Sequence, residues 1–64
     1  GLKFTDYLNI YRTNQAAKIL GNTDIPITDI CYETGFSNFS YFIKTFKKNH
    51  NDTPGSYRKK FSKK

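Results

Sequence analysis

The sequence predicts an all-α fold of four helices, at about residues 4–20, 26–33, 38–50 and 54–61. Two observations favour this fold. Apolar side chains recur three and four positions apart within these segments, which is the period of a helix with a covered side. Residues that begin or end helices stand at the starts of these segments or between them: Gly21, Pro26, Gly35 and Pro54. A chain of 64 residues is one domain at most.

The first predicted helix is long and unusually apolar. It runs from Phe4 to Leu20 without Pro or Gly, and we expect Gly21 to end it in the left-handed conformation. Its apolar side chains lie on several sides, and a helix of that kind is covered on several sides. A domain this small cannot cover them all, so we expect the helix to pack also against protein that would precede Gly1.

The second predicted helix is short and leads into a turn. Pro26 suits its first turn, where the missing N–H costs nothing. Three residues spaced i, i+3 and i+4 give it one narrow buried face: Ile27, Ile30 and Cys31. We expect Gly35 to take a positive φ and Phe36 to fill the angle between this helix and the next.

The third and fourth predicted helices carry start and stop signals. Ser37 is the expected N-cap of the third helix, and Asn51 is expected to end it in the left-handed conformation. Thr53 is the expected N-cap of the last helix and Pro54 its first residue, with Tyr57 and Phe61 buried. Residues 62–64 are expected to fray.

The third helix has two different sides. Phe42, Thr45 and Phe46 fall together and are expected in the core, whereas Ser40, Lys44 and Lys47 fall on another side. On that second side, the side chains are short near the N-terminus of the helix and positively charged further along. A helix entering the major groove needs this grading, because its first turns approach base edges and its later turns meet phosphates. The short helix, the glycine turn and this helix together predict a helix-turn-helix.

Less specific interpretations remain open for several of these residues. Phe39 and Ile43 could extend the core or contact thymine methyl groups. The lysines of the third helix could form an ordinary solvated face. Arg58 and its neighbours in the last helix could clamp phosphate or serve only solubility.

Composition narrows the function classes. The net charge of +6 favours a polyanionic partner, without separating DNA, RNA and an acidic membrane. No apolar run is long enough to span a bilayer, and Cys31 has no second cysteine with which to pair, so we expect a cytoplasmic protein. Cys31 and His50 are expected to be structural, and Asp29 and Glu33 to lie on an outward helix face. We find no catalytic set, cofactor motif or metal-ligand spacing, and therefore expect no enzyme.

The pattern of residues along the whole chain resembles the AraC/XylS family of bacterial transcription regulators. The residues that carry the resemblance, in chain order, are Phe4-Thr5-Asp6-Tyr7-Leu8-Asn9-Ile10-Tyr11-Arg12, Ala16, Ile19, Leu20, Ile27-Thr28-Asp29-Ile30, Gly35-Phe36, Ser40-Tyr41-Phe42, Lys44, Phe46-Lys47-Lys48, Thr53-Pro54 and Tyr57-Arg58. Two departures matter: Thr13 replaces a usual Ile or Leu, which is expected to weaken packing, and Lys44 replaces a usual Arg, which loosens base readout.

The resemblance implies a homeodomain-like helix-turn-helix half-domain. The family's DNA-binding domain holds two such units joined by a long central helix, and this chain looks like the central helix with the second unit and the closing helix. The first unit would precede Gly1, which matches the glycine that ends its recognition helix. An effector domain would also lie outside the chain.

The expected function is sequence-specific binding of double-stranded DNA by insertion of the helix at 38–50 into the major groove. The residues expected to face bases, which the resemblance supports, are Phe39, Ser40, Ile43 and Lys44. Those expected to face phosphates are Ser37, Asn38, Lys47, Lys48 and Arg58. The alternatives are a module that docks RNA polymerase or another regulator domain, and a nonspecific binder of nucleic acid or of an anionic membrane.

Overall fold

The computed structural model describes residues 3–61, so the predictions for Gly1 and for the tail at 62–64 lie outside the described residues. The described part is all-α, which confirms the predicted fold class. Four helices follow one another: α1 (Phe4–Asn22), α2 (Ile27–Glu33), α3 (Phe39–His50) and α4 (Pro54–Phe61). The helix α1 packs against each of the other three.

The end of α1 differs from the prediction. Gly21 lies inside the helix, which continues to Asn22 and ends at Thr23 in an extended conformation. A Cβ at Gly21 would lie 3.5 Å from the backbone oxygen of Phe61, an ordinary contact distance, so α4 packs near this point of α1 without requiring a glycine. Gly21 keeps the helical conformation, and the expected left-handed stop does not form there.

The helix-turn-helix forms around one glycine. The helix α2 begins at Ile27, with Pro26 as its N-cap rather than its first residue. Gly35 has a φ of +100°, and Phe36 is 4% exposed between the helices, as predicted. Ile30 and Cys31 are fully buried on the inner face of α2.

The N-cap of α3 is Asn38, and the prediction of Ser37 was wrong. Asn38 has the extended backbone of an N-cap, and its side chain accepts a hydrogen bond from the backbone N–H of Tyr41 at 2.8 Å. At the other end Asn51 takes the left-handed conformation with a φ of 58°, as predicted. The start signal of α3 was therefore misplaced by one residue, whereas its stop signal was predicted correctly.

The helix α4 begins as predicted, with the Thr53 hydroxyl accepting from the N–H of Ser56 at 3.3 Å. Its burial differs from the prediction. Tyr57 packs against the core, whereas Phe61 is 56% exposed and its ring contacts that of Tyr57, with 4.5 Å between ring centroids. Phe61 thus lies at the edge of the core and not inside it.

The core lies where the four helices meet. Its buried members are Ala16, Ala17, Leu20, Ile30, Cys31, Phe36, Phe42 and Phe46. Thr13 is fully buried among them, and its hydroxyl accepts a hydrogen bond from the Asn49 side chain at 3.1 Å while donating to the Asn9 carbonyl at 2.9 Å. The polar substitution at Thr13 is therefore satisfied and links α1 to α3, instead of weakening their packing as expected.

Within residues 3–61, no helix combines the length and apolar character needed to cross a membrane.

Candidate nucleic-acid interface

The helix α3 buries one side and exposes the other. Phe42 and Phe46 are both 0% exposed and Thr45 is 7% exposed, which confirms the predicted inner side. The polar residues of the opposite side are all exposed: Ser40, Lys44, Lys47 and Lys48. Among the described residues the one ion pair joins Lys60 and Asp52 at 3.1 Å, so the three lysines of α3 keep their charges free of a carboxylate partner.

Phe39 and Ile43 lie between the two sides of α3. Phe39 is 36% exposed, while its ring also contacts Phe42 with 6.3 Å between centroids. Ile43 is half-buried and packs against the core. Each side chain therefore supports the core with one edge and leaves another edge open, so their predicted contact with bases stays a prediction.

The N-terminal end of α3 is open to solvent. Ser37 and Asn38 are both exposed, beside Ser40 and Lys44 in one shallow groove. The side-chain oxygen of Asn38 accepts the capping hydrogen bond from Tyr41, which leaves the side-chain NH2 group to donate. A helix N-terminus favours anions because its first N–H groups point outward and the helix dipole is positive there. This geometry suits the predicted phosphate contacts.

The side chain of Arg12, in α1, packs against the turn before α3. A Cβ at Gly35 would lie 2.8 Å from Nε of Arg12, and the Arg12 guanidinium stands over the Phe36 ring at 5.9 Å from its centroid. In the sequence, Arg12 was notable only as one of the residues that carry the family resemblance. The spacing along the chain gives no sign of this contact, because it joins residues more than twenty positions apart.

The side chain of Tyr41 is also anchored by α1, and the sequence analysis gave it no role. The Asn9 Nδ2 donates to Tyr41 Oη at 2.7 Å, across 32 positions of sequence. Asn9 is 9% exposed, whereas Tyr41 is 46% exposed. The sequence carries no local signal for this contact, because it joins residues 32 positions apart.

Arg58 braces α4 against the end of α1. Its Nε donates to the Leu20 carbonyl at 3.2 Å and its Nη2 to the Ile25 carbonyl at 2.6 Å. These bonds satisfy carbonyl groups at and beyond a helix end, where intrahelical partners run out. The predicted phosphate contact of Arg58 stays a prediction, and the residue has a structural role besides.

Burial shifts the pKa values of Cys31 and His50. Burial raises the pKa of the Cys31 thiol, so it stays protonated as a core residue. Burial also lowers the pKa of His50 from 6.5, against an opposing hydrogen bond with the Thr13 backbone. The His50 ring stacks on Phe46 at 4.5 Å, and its Nε2 has no partner in the described part of the chain. His50 is therefore neutral at pH 7 and belongs to the aromatic packing.

The described residues do not form a cluster of metal-binding side chains. Residues 3–61 hold no group of three or more His, Cys, Asp or Glu side chains placed to share a metal ion. Asp29 and Glu33 are exposed on the outer side of α2, as predicted. Hydrogen bonds from Ser56 and Lys60 lower the pKa of Asp52, which ties the residues before α4 to its second turn.

Comparison with known proteins shows the family of the chain and several relatives to which it is similar. Residues 1–60 match the family described as "Helix-turn-helix domain". An uncharacterized HTH-type transcriptional regulator of Bacillus subtilis, YtdP, is 38% identical over 58 residues, which are 91% of this chain and 8% of that protein. Histidine kinase P4 of Formosa agariphila is 35% identical over 57 residues, which are 89% of this chain and 4% of that protein.

A solved structure has the same fold. A protein of unknown function from Listeria innocua superposes with a TM-score of 0.94 and is 42% identical, over 97% of this chain and 59% of that chain. The chain thus spans less than a tenth of the length of each of these two relatives and 59% of the solved chain.

Proposed function

This chain belongs to the helix-turn-helix domain family of AraC type, and on that premise we propose that it is the sequence-specific DNA-binding module of a bacterial transcription regulator. In this proposal α3 enters the major groove of double-stranded DNA. The same proposal puts the protein in the bacterial cytoplasm, where its DNA target lies, and gives it a binding role without catalysis.

The observation that carries the proposal is the division of α3 into two sides. Two fully buried rings, Phe42 and Phe46, fix the helix on the domain, while Ser40 and Lys44 stand in solvent one and two turns along the opposite side. A reading helix needs this rigid backing, because base contacts require side chains held in one position relative to the groove.

Each outward residue has a role suited to its chemistry. Ser40 can bond to a base edge of either kind, and Lys44 can donate to the O6 and N7 of guanine. The exposed edges of Phe39 and Ile43 suit thymine methyl groups. Four further residues would hold the phosphates on either side of the groove, with Arg58 as an additional candidate: Ser37, Asn38, Lys47 and Lys48.

Selection and titration together test this proposal. A preferred duplex is selected from a randomised pool, and its dissociation constant is compared with that of a scrambled duplex at two salt concentrations. We expect Lys44→Ala to reduce the preference by roughly 5- to 100-fold, because a good side chain–base contact contributes about 1–3 kcal/mol of discrimination. We expect a smaller reduction for Ser40→Ala.

The matched control is Lys18→Ala, which removes the same charge from an exposed position of α1. Lys18→Ala should leave the sequence preference unchanged and weaken the binding of both duplexes to the same extent. Equal binding of the selected and scrambled duplexes by the wild-type chain would contradict sequence specificity. Absence of duplex binding, with binding to RNA polymerase instead, would favour a protein-docking module.

We also propose that a longer protein covers the outer side of α1. Three aromatic residues on that side are strongly exposed: Phe4 at 76%, Tyr7 at 61% and Tyr11 at 56%. The first helix-turn-helix unit of the family is the proposed neighbour, and an effector domain is a further partner of the whole protein. Addition of that unit to the chain should protect Tyr7 and Tyr11 from solvent, as measured by quenching of tyrosine fluorescence.

A further inference from the structure

We propose that Tyr41 is a contact to the DNA backbone, whose hydroxyl donates to a phosphate oxygen and whose position is set by Asn9 of α1. This inference rests on the proposed function and adds a residue that the sequence analysis left without a role. It starts from the hydrogen bond between the two side chains, in which Asn9 Nδ2 donates to Tyr41 Oη at 2.7 Å.

The direction of that bond leaves a donor unused. A tyrosine hydroxyl carries one hydrogen and can also accept. Here the oxygen accepts from Asn9, and the hydrogen bonds among residues 3–61 include none that the Tyr41 hydroxyl donates, so its hydrogen is available to an outside acceptor. Phosphate oxygens accept bonds from tyrosine side chains in protein–DNA complexes.

The ring of Tyr41 is held in place before any ligand arrives. Asn9 is almost fully buried and sits on the long helix α1, and the Tyr41 ring also packs at a tilt on Phe36, with 6.1 Å between centroids. The hydroxyl nevertheless belongs to a side chain that is 46% exposed. A donor that is both accessible and fixed loses little conformational entropy on binding.

The surroundings of Tyr41 are those of a phosphate contact. Tyr41, Lys44 and Lys48 are spaced i, i+3 and i+7, which puts all three on one side of α3. They line a groove of about 320 Å³ between α1 and α3, in which Asp6 is the one acidic side chain. Tyr41 and Lys44 also line the neighbouring groove beside Ser37, Asn38 and Ser40. Tyr41 therefore stands between the residues proposed for bases and those proposed for phosphates.

A neutral hydroxyl leaves a distinctive signature in DNA binding. Lysine contacts release counterions, so each contributes about one unit to the slope of log affinity against log salt. A hydroxyl bond to phosphate adds affinity without adding charge. Loss of Tyr41 Oη should therefore weaken binding at every salt concentration and leave the slope unchanged.

The test uses Tyr41→Phe, which removes only the hydroxyl. Fluorescence anisotropy measures the binding of the 64-residue chain to a labelled mixed-sequence duplex at four or more salt concentrations. We expect about a 3- to 10-fold weaker affinity, the range for one net hydrogen bond, with an unchanged salt slope. Lys48→Ala, at a position proposed to face a phosphate, should instead lower the slope by about one unit. Tyr11→Phe is the control, since Tyr11 is 56% exposed on the far side of α1 and should bind as wild type does.

A double-variant cycle tests the positioning role of Asn9. Asn9→Ala should weaken binding by itself, but in combination with Tyr41→Phe it should add nothing, because both changes act through the same hydroxyl. Thermal unfolding followed by circular dichroism shows that each variant is folded at the temperature of the titration. A purely structural Asn9 would weaken binding equally in the presence and absence of the Tyr41 hydroxyl, and that result would overturn the positioning role.

The outcomes separate the two proposals. Normal affinity of Tyr41→Phe, while the wild-type chain binds duplex, overturns the assignment of Tyr41 and leaves the proposed function standing. A reduced salt slope for Tyr41→Phe also overturns it, because a hydroxyl releases no counterion. Failure of the wild-type chain to bind any duplex overturns the proposed function and this inference with it.

Discussion

Gly35 shows how one backbone angle and one neighbouring side chain fix the turn of the helix-turn-helix. Its φ of +100° lies in a region that residues with a Cβ rarely adopt. The space in front of its Cα is also taken, because Nε of Arg12 lies 2.8 Å from where a Cβ would stand. The backbone angle therefore favours glycine by itself, and a Cβ would in addition force the Arg12 side chain to shift.

Replacement of this glycine should destabilise the fold. We expect Gly35→Ala to lower the free energy of unfolding by about 1–3 kcal/mol, the range for a strained backbone position, as measured by urea denaturation. Gly55→Ala is the control: its new Cβ would meet only Cδ1 of Ile27, at an ordinary 3.8 Å, and alanine is the better helix former. Equal stability of Gly35→Ala and wild type would contradict this account of the turn.

Helix ends show how far local sequence signals reach. Gly35, Asn51 and Thr53 were predicted correctly because each acts on its own backbone or on the next turn. Gly21 was predicted wrongly: it keeps the helical conformation, and α1 continues to Asn22. A glycine therefore marks a helix end only where its own backbone takes a positive φ, as that of Gly35 does.

The N-cap of α3 tests this reasoning on two adjacent residues. Asn38 accepts from the Tyr41 N–H at 2.8 Å, so Asn38→Ala should cost about 0.5–2 kcal/mol of unfolding free energy, the usual range for a lost cap. Ser37→Ala should cost close to nothing, since Ser37 is exposed and precedes the cap. Thermal melts of both variants provide the comparison, and a larger loss for Ser37→Ala would restore the original prediction of Ser37 as the cap.

The candidate interface was predictable to different depths. The inner and outer sides of α3 follow from helical period, because Phe42 and Phe46 recur four positions apart and Lys44 lies between them on the other side. The link from Asn9 to Tyr41 joins residues 32 positions apart and depends on how α1 crosses α3. Periodicity reports which face of a helix is covered, and it carries no information about which element covers it.

The assembly of the whole domain depends on a continuous series of aromatic rings. Successive contacts run from Phe36 through Phe42 and Phe46 to Tyr57 and on to Phe61, with centroids between 4.5 and 6.0 Å apart. The far end of this series is open, since Phe61 is 56% exposed. In a domain of this size the core alone gives limited stability, so polar connections between helices matter more than in a larger protein.

Arg58 is the polar connection with the widest reach, since one guanidinium bonds to the end of α1 and to the connector before α2. We expect Arg58→Gln to lower the free energy of unfolding by about 1.5–3 kcal/mol, the range for hydrogen bonds to a charged group. That is a large share of the few kcal/mol that keep a small domain folded. Chemical denaturation measures the loss, and Lys59→Gln, which removes a charge from an exposed neighbour, should change stability little.

The same variant also tests the predicted phosphate contact of Arg58. Its salt slope in duplex titrations, measured at a temperature where the variant is folded, reports whether the residue neutralises a phosphate as well as bracing the helices. A slope lower by about one unit would add that contact to the structural role, whereas an unchanged slope would leave the brace alone. Unchanged stability of Arg58→Gln would refute the brace itself, because two carbonyl groups would then have lost their donors at no cost to the fold.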